Sequence, residues 1–393
     1  MTSFPSIVII GGGVAGVSSA LGACELGATE VVLLEKGHLA EASSALSAGV
    51  FNIDAPDVLT NEVRIHAWRR LNTYEREDDL HLARIGYLRL ARLPEQIPLF
   101  EKVIEQQKSA GITEPSQLLD PEQILAVYPD LRVDDVHAGL YNPNAGHLDG
   151  PLLCAAMAAR ARALGAQLRP KTAAIGVDRG TTTRWVVRTD KGDVPADVII
   201  NAAGAWADRV GAWLNAPAPL TPQVHEIVQV RLPKRLTYQV PMTQEYIPGY
   251  EEAAYFRQDG EQSLIAGMHT YDVLDELSVA DPDDYRRKVT DDYVEAVAER
   301  VVDRLLIDDL GFAPGWTGIY PLSADGQFIV GPYENAPGVI ACAGLGGHGV
   351  NGGVAVGPLA AEYAIFGEAR SIQGAEAMLP DRQSLRTPGA VRA

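Results

Sequence analysis

The sequence predicts an α/β protein. One domain is an α/β unit built around a parallel sheet, and the second is an α+β unit on a mixed, largely antiparallel sheet. Three observations carry this. The apolar run SIVII (6–10) runs straight into Gly11-Gly12-Gly13-Val14-Ala15-Gly16, the start expected of a buried parallel strand and its turn. Residues 216–260 turn rich in proline and in alternating patterns such as HEIVQVRL, which favour antiparallel strands. Near the other end, VIACA (339–343) leads into a second glycine-rich turn, GLGGHGVNGG (344–353). At 393 residues the chain is long enough for two domains.

Each element follows in order. The first turn fits GxGxxG: Gly11 permits the tight turn, Gly13 lets the backbone approach a pyrophosphate, and Gly16 allows close helix–strand contact. Val14 and Ala15 open a helix of small residues. EVVLLE (30–35) is a second strand ending in Glu35, nineteen residues after Gly16, where a carboxylate accepts from a ribose diol. Strand, glycine turn, helix, strand and acid together form a Rossmann fingerprint. The pattern leaves NAD and FAD open.

EASSALSAGV (41–50) is a small, hydroxyl-rich segment. Leu59, Val63, Ala67, Leu71 and Tyr74 recur at helical spacing, predicting a long helix over 60–83. Further helices are predicted at 95–110, at 121–128 before Pro129, and at 150–164 before Gly165. Strands follow at 166–169, 184–189 and 197–203, the last closed by Gly204 ahead of a helix at 205–214. A long amphipathic helix is expected over 283–306, strands at 328–330 and 339–343, and a final helix over 353–366. The nucleotide-binding pieces are thus assigned to 1–80, 140–215 and 310–370, the second domain to 81–139 and 216–309, and a C-terminal tail to 371–393.

A net charge of -18 disfavours nucleic acid and anionic membrane surfaces as partners. Three cysteines without CxxC spacing argue against a disulfide framework or a zinc site. With no basic leader and no run of about 18 apolar residues, the expectation is a cytoplasmic protein without a transmembrane segment, acting on a small molecule. A homo-oligomer stays open.

The fingerprint with Glu35, SSALSAG (43–49), DVIINAAGAW (197–206), WTGIYPLSADGQFIVGP (316–332) and GLGGHGVNGG, in this order, resemble the D-amino-acid-oxidase-type FAD oxidoreductases. That family includes glycine oxidase, monomeric sarcosine oxidase, dimethylglycine dehydrogenase and sarcosine oxidase beta subunits. The resemblance implies a Rossmann-like FAD-binding domain of the glutathione-reductase type. Gly11, Gly13 and Gly16 would hold the pyrophosphate, and Glu35, followed by Lys36, the adenosine ribose. Ser43, Ser44 and Ser47, with Ala48 and Gly49, would contact pyrophosphate and flavin. Ala173 or Ala174 would touch adenine by backbone, and Ala203, Gly204 and Trp206 would pass near the cofactor. Gly318, and Gly344, Gly346, Gly347, His348, Gly349, Val350 and Asn351 of the second turn, would border the flavin. Relatives that bind flavin covalently use a histidine at what is here Ser47 or a cysteine at what is here Gly318, so non-covalent FAD is expected.

The implied reaction takes hydride from the carbon beside an amine to flavin N5, giving an imine that water hydrolyses. His269, in GMHTYD (267–272), falls where sarcosine oxidase has GYHTF and is the first candidate to position or deprotonate the amine; His348 ranks below it. Ile265 replaces a lysine that speeds reaction with oxygen, leaning the reading towards a dehydrogenase. Tyr320 replaces the carboxylate-binding arginine of glycine oxidase, and Asn351 the lysine of sarcosine oxidase. Arg257 is the remaining cation considered, with Tyr255 and Tyr320 as pocket walls. The expected function is oxidation of an amine or amino acid. The alternatives are an NAD-dependent dehydrogenase, against which the second glycine turn argues, and an electron-relay subunit of a larger sarcosine-oxidase-like complex.

Overall fold

The computed structural model describes residues 4–245, 253–269 and 274–386, with the side chains of Ala253 and His269 outside that description. The run at 6–10 forms the strand Ile7–Ile10, buried at every position. It pairs in parallel with Val31–Leu34 and Val198–Asn201. These belong to a six-stranded sheet ordered Ile329–Tyr333, Ala336–Ala343, Val198–Asn201, Ile7–Ile10, Val31–Leu34, Gln167–Arg169. A separate three-stranded meander, Ala174–Arg179, Trp185–Thr189 and Val194–Ala196, packs near it.

Helices Val14–Glu25 and Gly349–Phe366 lie close together, and glycine makes that closeness possible. A Cβ on Gly357 would stand 1.9 Å from Ser18 Oγ, and one on Gly22 2.7 Å from Pro358 Cα. Ser18 Oγ donates to the Gly353 carbonyl at 2.5 Å, tying the two helices across the chain. Gly349–Phe366 begins four residues before the expected start at 353, because the second glycine turn itself winds into it.

The second sheet has eight strands, ordered Gly311–Ser323, Leu220–Arg231, Ser263–His269, Ala253–Gly260, Met242–Gln244, Tyr87–Ala91, Ala138–Asn142, Gln117–Leu119. Its neighbours are antiparallel except Met242–Gln244 against Tyr87–Ala91. Two pieces assigned by sequence to the nucleotide-binding segments join it instead. Gly311–Ser323 pairs with Leu220–Arg231 from end to end, and Ala138–Asn142 pairs with Tyr87–Ala91.

The helix expected over 283–306 is shorter, Asp291–Arg304, because the Thr290 hydroxyl accepts from Tyr293 N–H and sets its start. The residues before it form ion pairs: Arg286 with Glu226, and Asp283 with Lys36 and Arg209. The C-terminal segment is packed down where described. Met378 and Leu385 are buried, and Arg382 and Ser384 both donate to Asp325. Among the described residues no helix is long and apolar enough to cross a membrane, and no His/Cys/Asp/Glu group could hold a metal ion. The three cysteines are free and buried.

Candidate active site

The first turn is built as its glycines require. Gly11 has φ +115°, and a Cβ there would sit 2.3 Å from the Ala202 carbonyl oxygen; one on Gly16 would sit 1.9 Å from Gly11 O. Helix Val14–Glu25 starts at Gly13 with no acid in its first turn, so its electropositive end stays available to an anion. Glu35 accepts from Gly12 N–H and Gly37 N–H, each at 2.7 Å, one through each carboxylate oxygen. Each oxygen keeps acceptor capacity for a ribose hydroxyl.

From this turn a groove runs towards the second one. Gly13, Val14, Ala15, Ser43, Ser44, Ser47, Gly204 and Gly318 line it, with Gly344, Gly346, Gly347, Gly349 and Val350. Ala202, Ile319, Pro321, Cys342 and Ala343 also line it and were not foreseen. Ser44 Oγ accepts from Val14 N–H at 3.2 Å, and Ser43 Oγ donates to Ile319 O at 2.8 Å, tying the hydroxyl-rich segment to the start of helix Val14–Glu25 and to strand Gly311–Ser323. The helix Gly349–Phe366 also has no acid in its first turn, so both ends of the groove meet helix N-termini.

Other residues expected to meet the cofactor are, like Glu35, not in the lining of this groove. Ala173 has both backbone groups engaged with Asp190: its N–H donates to the carboxylate and its carbonyl accepts from Asp190 N–H. Ala174 is paired with Thr189 in the meander. Lys36 Nζ lies 3.8 Å from the Trp206 ring centre, and both side chains contact Asp283. Neither lines the groove. Ala203, beside Ala202, is half-buried at the end of its strand. Gly49, at φ +68°, turns the chain where a Cβ would meet Leu148 O at 2.0 Å.

A second cavity adjoins the groove, and Ser47, Tyr320, Gly347 and Val350 line both. Tyr255, His348, Asn351 and Ala48 stand in its wall as well. Asn351 Nδ2 donates to Asn52 O at 2.8 Å, and the His348 ring lies edge-on to Phe328. Tyr320 stacks on His225 with ring centres 3.9 Å apart. Burial pushes His225 down to about 4, so its imidazole is neutral.

The chamber also holds two arginines that sequence reasoning missed. Arg64, from helix Val58–Asp78, donates to Asn52 Oδ1 at 2.6 Å and lies 2.9 Å from His348 Nδ1. Arg89, from Tyr87–Ala91, donates to the Tyr87 hydroxyl at 3.0 Å, and Tyr87 donates in turn to Gln244. Arg257, the cation expected from sequence, does not line the chamber. Its guanidinium donates to Ala48 O, Gln258 O and Asp259, fastening the strand end to the segment after Ser47. His269 ends its strand opposite Ala253, and its side chain lies outside the described residues.

Fold and groove together define a dinucleotide-binding α/β protein with a second cavity beside the groove. The chain belongs to the DAO family of FAD-dependent oxidoreductases, whose model matches residues 6–363. The cofactor is therefore FAD; the glycine-lined groove fits it, with Glu35 held on Gly12 N–H at the first turn. The mitochondrial dimethylglycine dehydrogenase of Rattus norvegicus is 32% identical over 270 residues, covering 67% of this chain and 30% of its own. This chain thus spans under a third of that relative's length. Glycine oxidase of Geobacillus kaustophilus is 26% identical over 356 residues, 88% of each chain. Among solved structures, L-proline dehydrogenase from P. horikoshii superposes with a TM-score of 0.84 at 24% identity, covering 99% of this chain and 100% of that one.

Proposed function

We propose that this chain oxidises the carbon–nitrogen bond of an amine or amino acid, with the substrate held in the chamber beside the groove. The observation that carries this reading is the wall common to both cavities, Ser47, Tyr320, Gly347 and Val350, which leaves no element between them. When bound, FAD supplies the two-electron acceptor for hydride from the carbon beside nitrogen, and the resulting imine is hydrolysed.

The chain's residues do the rest. Gly13, Ala15 and the helix N-terminus receive the pyrophosphate, and Glu35 the ribose. Tyr255 and Tyr320 are aromatic walls, and burial keeps the Tyr255 phenol protonated. A chamber of this burial favours the neutral amine, whose lone pair assists hydride departure. Neutral His225, stacked behind Tyr320, fixes that ring without adding charge. Ser47 and Gly318 stand where covalent relatives carry the linking histidine and cysteine, so attachment is non-covalent, and acid precipitation is expected to release all the flavin.

The test is anaerobic mixing of the holoprotein with glycine, N-methylglycine, N,N-dimethylglycine, L-proline and iminodiacetate, followed by oxygen or a dye. At least one compound is expected to bleach the visible flavin band. If none does, the reading fails and a purely electron-relaying role takes its place.

A further inference from the structure

We propose that residues 274–290 form a strap joining the two walls of the cofactor groove, latched at Asp283, and that opening this latch sets how fast FAD enters and leaves. The proposal rests on the non-covalent attachment inferred above. One wall is strand Gly311–Ser323, whose Gly318, Ile319, Tyr320 and Pro321 line the groove. The strap is fastened behind it. Thr317 Oγ1 donates to Arg286 O at 2.9 Å, Val279 N–H to Pro222 O at 2.8 Å, and Gln223 Nε2 to Leu274 O at 3.0 Å. Pro222 and Gln223 pair directly with Pro321 and Tyr320.

The other wall carries Gly13 and Gly204. Here one carboxylate gathers three donors. Asp283 Oδ1 accepts from Lys36 Nζ at 2.7 Å and from Trp206 Nε1 at 2.9 Å, and Oδ2 accepts from Arg209 Nη1 at 2.6 Å. Arg209 also donates to Asp281 at 2.6 Å. Lys36 follows Glu35, whose carboxylate holds Gly12 N–H, and Trp206 and Arg209 lie on the turn and helix that start at Gly204.

Burial decides which fastening yields first. Arg286 donates to both oxygens of Glu226, each at 2.8 Å, and Glu226 is only 5% exposed, so this two-point pair is the strong one. Asp283, Lys36 and Arg209 are each about half exposed, where water and salt weaken a pair. The strap therefore pivots at Arg286 and lifts at Asp283. Between 281 and 290 the buried residues are Pro282 and Val289, so lifting it uncovers little apolar surface.

Every latch contact runs between residues of the chain itself. Breaking it raises the open fraction without changing what a seated cofactor touches, so entry and exit should quicken together while the dissociation constant stays nearly fixed. A residue that only helped to hold FAD would change exit alone.

The test follows flavin fluorescence, which rises as FAD leaves the diluted holoprotein and falls as FAD reloads the stripped protein. Asp283→Asn and Arg209→Gln should each speed both processes about two- to fivefold. The double variant Asp281→Asn/Asp283→Asn should speed both about five- to twentyfold, with Kd for FAD within about twofold of wild type. Raising salt from about 0.05 to about 0.5 M should hasten exit from wild type and have a smaller effect on the double variant. Unchanged rates overturn the proposal. So does faster exit with unchanged entry, which would make Asp283 an ordinary support of the bound cofactor. Acid precipitation comes first: flavin left on the pellet removes the exchange that a strap could control and overturns the proposal through its premise. That result is distinct from unchanged rates in a protein that does release its flavin.

Discussion

Around the dinucleotide groove the chain presents backbone, whereas the chamber beside it is walled by polar and aromatic side chains. In the first region Gly11, Gly16 and Gly357 leave no room for a methyl group, and the electrostatics come from helix N-termini. In the second, charge arrives on Arg64 and Arg89, and deeper in that half on Arg304, each held by several partners. The first region is intolerant of added atoms and the second of lost ones. A ligand common to a whole family can be met by backbone, which varies little with side-chain identity. A particular substrate has to be met by side chains.

The largest effect should follow from adding atoms to the groove. Gly16→Val places its side chain on Gly11 O, so the purified protein should carry no flavin absorbance; a yellow variant would break the comparison. Next comes loss of charge from the second half. Arg304 is 3% exposed, donates to Asp135 at 2.7 Å and Arg132 O at 2.8 Å, and also contacts Glu245. Arg304→Met should cost about 1–3 kcal/mol by denaturant unfolding, since it takes charged donors from the half-buried Glu245 and from Asp135, which water can partly resolvate; a loss below about 0.5 kcal/mol would show the network to be dispensable.

A smaller effect is expected at Asp325, which anchors the C-terminal segment. Burial pushes its carboxyl up, and Arg382 and Ser384 outweigh that, holding it at about 2. A folded-state value below the unfolded one, about 3.9, gives stability that is present above pH 4 and lost as pH falls towards 2. Asp325→Asn should flatten that acid slope by about 1–2 kcal/mol; an unchanged slope assigns it to other carboxylates. The smallest lies at the seam. Lys36 and Asp283 are about half exposed, so Asp283→Asn should change stability by less than about 1 kcal/mol, and less still in high salt.

The contrast also explains what could be read in advance. Backbone requirements leave marks on sequence, because glycine at Gly11, Gly13 and Gly16 has no substitute of equal reach. The strand, turn and acid order from Ile7 to Glu35 was accordingly legible, as was the second turn. Arg64 and Arg89 were not. Helix Val58–Asp78 carries Arg64, Arg69, Arg70 and Arg76, and the sequence analysis singled out none of them. A signal did exist: Arg64 lies three before Ala67 and seven before Leu71, on the buried stripe. Arg89 shares a strand face with Tyr87 and Ala91 inside an apolar run. Which strand joins which sheet was also out of reach for Gly311–Ser323, because its partner in pairing lies some ninety residues earlier in the chain.

That sheet order carries a consequence for how the holoprotein comes into being. Ile7 pairs with Val198, and Ile199 with Val339, so adjacent central strands are made far apart in time. Gly344, Gly346, Gly347 and Val350 then complete the groove. Local pieces can form during synthesis, but this parallel sheet closes only after residue 350 has left the ribosome. Flavin therefore loads onto a nearly finished chain.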